Sequence, residues 1–173
     1  MLDKLDSLHH WQVDSIPAIR EQPILAKSTN SGLRPLVMTA VFVVLLHTVM
    51  MPVHGAAHMR LKVGMSTWAN IYVLCIVGIG PIVGLCLLKL SRQRMGATIL
   101  FTTMMGALLF GIWNHFIAHG PDHVMHVQAG AWRLPFQTTA VLLALSETAG
   151  AIVALMLLQA LTEQTKAGRE RND

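Results

Sequence analysis

Charge is what this chain has least of. Of 173 residues, 13 are Lys or Arg and 9 are Asp or Glu, 13% in all, about half the ~25% of an ordinary soluble domain. A water-soluble fold needs a polar face on each element, so this scarcity excludes the soluble classes and points to the membrane. Cysteine is nearly absent too. Cys75 and Cys86 lie within one apolar run, which excludes a disulfide framework and leaves both as packing residues. The first residues carry Asp3, Asp6 and Asp14 and no apolar core, so a cleavable signal peptide is not expected. Internal repeats are missing, as are a His-Glu-x-x-His protease motif, a Cys-x-x-Cys-His haem attachment site and the histidine boxes of membrane desaturases. The net charge of +4 suggests nucleic acid only until the positions are read. Most basic residues end apolar runs, where they set orientation, and no nucleic-acid partner is expected.

Hydrophobic residues make up 53% of the chain, with a mean hydropathy of +0.52. They fall in four runs, at about 36–53, 68–90, 98–119 and 136–161, each near the ~20 residues needed to cross a bilayer. None alternates polar and apolar faces as a soluble bundle would. The predicted fold is an all-α integral membrane protein with four transmembrane helices and short loops. Residues 1–35 form a cytoplasmic segment broken by Pro17, Pro23 and Pro35, residues 36–161 the transmembrane domain, and 162–173 a charged tail. Leu2, Leu5, Leu8 and Trp11 recur every third residue and outline one face of an interfacial helix, with His9 and His10 beside it as solvated surface groups.

The flanks set the orientation. Lys27, Arg34, Lys89, Arg92, Arg94, Lys166, Arg169 and Arg171 lie on one side, and only Arg60, Lys62 and Arg133 on the other. This eight-to-three asymmetry puts both termini in the cytoplasm. Trp68 and Trp132 then fall at the opposite interface, as belt residues do. In a bacterial inner membrane that side is periplasmic.

Histidine is where the sequence becomes informative. His47, His54 and His58 are spaced by seven and four, which on a helix returns to one stripe within about 40°. Pro52 is expected to bend that stripe. His115 and His119 repeat the four-residue step, and Gly120-Pro121 should end their helix, leaving Asp122, His123 and His126 on the outer loop. Two such pairs on different helices can offer four imidazoles to copper, zinc, nickel or iron, with Asp122 as a further ligand or as the group that orients one. The expected metal residues are therefore His54, His58, His115, His119, Asp122, His123 and His126. Met50, Met51, Met59, Met65, Met105 and Met125 crowd the outer half, and thioether sulfur favours Cu(I), although Met is also common packing material. Deeper in the membrane, His47 and Glu147 are candidates for a proton or ion path, or for helix-to-helix hydrogen bonds. Asn114 is a second candidate for such a bond.

Gly120-Pro121-Asp122-His123, following His115 and His119, resembles locally the histidine-plus-Asp-His motif of nickel permeases and of the hydrogenase/urease accessory permeases. The likeness covers about a dozen residues. Those families have more helices and a different histidine spacing, so no assignment is carried across.

Three functional readings follow. The first is a transition-metal-binding protein for transport or delivery. The second is a b-type haem carrier working with quinol, in which His54 or His58 and His115 or His119 are axial ligands. The third is an accessory subunit of a larger membrane complex, or a homo-oligomer, whose histidines line an interface. An open metal position could also support catalysis, but no separate general base is evident.

The topology is directly testable. A membrane-impermeant maleimide should label Ser66→Cys from outside intact cells and leave Ser91→Cys unlabelled. The reverse pattern would invert the orientation.

Overall fold

A bilayer offers no water to the backbone, so an apolar run must satisfy its own N–H and C=O groups and does so as a helix. The computed structural model describes residues 22–172, with side chains from Gly32 onward. The Leu2, Leu5, Leu8 and Trp11 face and His9 and His10 lie outside the described residues. Four helices account for the apolar runs: α1 (Gln22–Arg60), α2 (Thr67–Lys89), α3 (Gln93–Ile117) and α4 (Arg133–Arg169). All four are long and apolar enough to cross a membrane. The described residues include no strand. Helix α1 is longer than its apolar run. It starts at Gln22, continues through Pro35 and Pro52, and ends at Arg60, so His54 and His58 lie within the helix rather than just beyond it.

The most enclosed helix is α4. It packs on both α1 and α3, α2 packs on α3, and α1 touches α2 only lightly. Burial follows this order, greatest in α4 and least in α1. Leu100 and Met104 of α3 meet Ala154 and Leu157 of α4, with Ala40 and Val44 of α1, in the main core. Phe42, Leu109 and Leu145 point outward, where lipid covers them. A second apolar cluster of Ala57, Leu61, Val127 and Phe136 joins the end of α1, the 118–132 connection and the start of α4. The Arg60 guanidinium stands 5.9 Å over the Trp132 ring at the same end. Both histidine-rich stretches are therefore gathered at one end of the bundle.

Helices α2 and α3 meet backbone to backbone. A Cβ on Gly84 would stand 2.8 Å from the Leu100 nitrogen, and one on Gly96 would stand 2.5 Å from the Leu88 nitrogen. A Cβ on Gly80 would run into the Thr103 side chain. Without a hydrophobic driving force between helices in lipid, such close approach is what holds them. Gly96→Ala should therefore destabilise the fold by about 1–3 kcal/mol, read as a lower thermal midpoint in detergent. Gly168→Ala, where nothing lies within 4 Å of the added atom, is the matched control and should be neutral. An unchanged midpoint for Gly96→Ala would contradict the contact.

Candidate metal centre

The site is assembled from the two places where the seven- and four-residue histidine spacings meet the packing. On α1 the helix continues unbroken through Pro52, and His47, His54 and His58 are all buried. On α3 it is not regular. The last turn, Trp113–Ile117, widens into a π-helical turn, closed by the Ala118 N–H bonding the Trp113 carbonyl at 2.7 Å. Ala118 is extended, so the helix ends before Gly120-Pro121. The His115 carbonyl, which a continuing α-helix would bond to His119, instead accepts from Val124 N–H at 2.9 Å. His115 thereby turns inward and His119 leaves its face.

His54, His58 and His115 converge. Their ligand atoms lie within 4.8 Å of one another, and the three rings are buried. His54 Nε2 is 3.3 Å from His115 Nε2 and 3.2 Å from His58 Nε2. A four-coordinate ion with metal–nitrogen bonds of 2.0–2.1 Å holds its nitrogens about 3.3 Å apart. The spacing suits a metal.

The partners of the outer nitrogens fix two of the tautomers. Thr139 Oγ1 gives its hydrogen to the Pro135 carbonyl at 2.7 Å, so toward His54 it can only accept. His54 Nδ1 therefore donates to it, at 2.9 Å. The Asp122 carbonyl likewise can only accept, and His115 Nδ1 donates to it at 3.0 Å. A neutral imidazole carries one hydrogen. When both rings are neutral, the two Nε2 atoms are lone pairs facing each other, an arrangement that a shared proton or a metal cation between them satisfies. Phe136 packs against all three rings, with centroids at 4.9, 5.1 and 5.5 Å, and restricts their rotation.

Asp122 acts from the loop. Its Oδ1 is 3.2 Å from His58 Nε2 and 3.3 Å from His115 Nδ1, close enough for charge but not aligned as hydrogen bonds. Burial opposes ionisation of this carboxyl. The His115 ring, and then the charges of His115, His58 and His54, outweigh burial and hold it below its ordinary value. A carboxylate there offsets part of the charge of a bound cation.

The remaining expected residues lie elsewhere. His119, His123 and His126 gather into a second ring cluster, with centroids 4.5–5.9 Å apart. His119 and His126 are exposed, and among the described residues this trio does not form a converging ligand group. Asn114 bonds within its own helix, to the Phe110 carbonyl. His47 is locked deeper in the bundle. Pro81 has no N–H to offer the Val77 carbonyl four residues before it, and that carbonyl accepts from His47 Nε2 at 3.0 Å. His47 Nδ1 then faces Ser146 Oγ at 3.3 Å and Glu147 Oε1 at 3.9 Å. A cavity of about 470 Å³ is lined by both the triad and Glu147.

Sequence reasoning missed Thr139 and Phe136. Phe136 lies three residues before Thr139, in the first turn of α4, and both face the triad. Only the packing of α4 against α1 reveals them. No protein family model matches the chain, and no curated protein or solved structure shows significant similarity to it.

Thr139→Val keeps the side chain's shape and removes the acceptor for His54 Nδ1–H. Metal affinity, measured against a competing chelator, should fall roughly 10–100-fold with the fold intact. An unchanged affinity would mean that Phe136 alone holds the ring.

Proposed function

We propose that this chain is an inner-membrane metal-delivery protein. It takes a transition-metal ion from the periplasmic side at His54, His58 and His115 and passes it to a membrane partner. The observation that carries this reading is the convergence of Nε2 atoms at 3.2–3.3 Å, with two of them oriented by hydrogen bonds on the far side of the ring. Three imidazoles rather than four leave one position for an incoming or departing ligand, which suits an exchangeable ion. Copper fits the donor set best among copper, zinc, nickel and iron. Met51, Met59 and Met65 line the adjoining cavity, and soft thioether with imidazole serves copper in either oxidation state.

Haem fits the geometry less well. Two axial imidazoles must face each other across a macrocycle, whereas His58 and Phe136 crowd the space beside His54 and His115. Delivery is preferred to conduction across the bilayer because the cavity leading inward is walled mostly by apolar groups such as Val73, Val77, Phe110 and Leu143. A naked ion is costly there.

Copper bound per chain, after purification and dialysis against a mild chelator, tests the reading. The wild type should hold one ion, and His54→Ala, His58→Ala and His115→Ala should each lose most of it. The double variant His54→Ala/His115→Ala should lose no more than the worse single, because ligands of one ion act together. Full occupancy in every single variant would leave these histidines as packing groups.

A further inference from the structure

The cavity beside the triad is built for something other than an ion. It lies in the crevice between α1 and α2, which touch each other only lightly. Its walls come from Met51, Gly55 and Met59 on one side and Asn70, Val73 and Val77 on the other, with Phe110 and Leu143 behind. The α2 wall is itself distorted, since Val73–Ile79 forms a π-helical stretch, a feature frequent at functional sites.

Glu147 is one of the polar groups that line this largely apolar space, with Asn70, Asp122 and the histidine triad. Its side chain is 5% exposed and lines the cavity. Among the described residues nothing hydrogen-bonds its carboxyl, and His47 Nδ1 stands 3.9 Å from Oε1. The carboxyl therefore has a charged-group neighbour in His47 but no hydrogen bond, and its hydrogen-bonding capacity is left to the cavity that it lines. Gly55 lines the same cavity and leaves space there, since nothing lies within 4 Å of an added Cβ.

We propose that this cavity binds a neutral, lipid-soluble molecule carrying a hydroxyl or carbonyl oxygen, with that oxygen on Glu147 and the molecule facing the His54–His58–His115 centre. The facing arrangement rests on the metal reading above; the binding itself does not. Neutrality follows from the walls: Met51, Val73, Val77, Phe110 and Leu143 give a charged group no hydration, and the Asp122 and Glu147 carboxyls oppose an anion. The oxygen follows from Glu147, which accepts from a hydroxyl when ionised and donates to a carbonyl when protonated. The size follows from a volume of about 470 Å³, within the range of small-molecule pockets and suited to a substituted ring.

The test uses the full chain in lipid nanodiscs with two radiolabelled probes, decylubiquinol and its oxidised form. Saturable binding of at least one is expected. Glu147→Leu and Gly55→Leu should each weaken it roughly tenfold or more, the first by removing a buried hydrogen bond and the second by filling space. Glu147→Gln keeps a hydrogen-bonding group and should stay within about threefold of the wild type. Gly55→Leu reads the same site should Glu147→Leu fail to fold. The wild-type protein stripped of metal by a strong chelator should still bind the probe, so loss of the metal reading and loss of this one give different results. Absence of saturable binding by both probes, or binding indifferent to both Glu147→Leu and Gly55→Leu, would overturn the proposal.

Discussion

Two hydrogen bonds on the outer edges of two imidazoles govern this structure. His54 Nδ1 is held by Thr139, and His115 Nδ1 by the Asp122 carbonyl. Each bond places the ring's one hydrogen away from the centre and leaves the Nε2 lone pair pointing in. Without those partners the same histidines would be interchangeable tautomers at an apolar end of a bundle. With them, lone pairs from two helices are brought to the spacing of metal ligands before any ion arrives, and an ion need not pay for that ordering.

Much of the architecture serves to bring the partners into place. Helix α4 supplies Thr139 and Phe136 because it packs directly on α1. The loop supplies Asp122 because α3 ends in a widened turn and the His115 carbonyl bonds back to Val124. The glycine contact between α2 and α3 holds a pair of helices whose sequences offer little polar adhesion. In α2, Pro81 withholds an N–H from the Val77 carbonyl, which turns to His47. Local departures from the regular helix thus place His115 and hold His47, while His54, His58, Phe136 and Thr139 sit on unbroken α-helix.

The fold was legible because its signal is coarse. Four long apolar runs with few charges have one solution in a bilayer. The α1 half of the site was legible for a similar reason, since seven- and four-residue spacings map onto one stripe of any regular helix. The α3 half was not. The pairing of His115 with His119 assumes an unbroken α-helix, and the π-helical turn removes that assumption with no composition signal to mark it. His123 and His126 share residue type and side of the membrane with the triad, yet the loop stacks them with His119 instead. Thr139 was invisible because a threonine in an apolar helix usually bonds only to its own backbone. Its second role depends on which helix lies alongside.

The central claim is that three imidazoles from α1 and α3 share one ion. X-ray absorption at the copper edge of the loaded, purified protein tests it most directly. The account predicts about three imidazole nitrogens near 2.0 Å, falling to fewer in His115→Ala while the fold persists. A shell dominated by sulfur, or no ordered imidazole scattering at all, would contradict it.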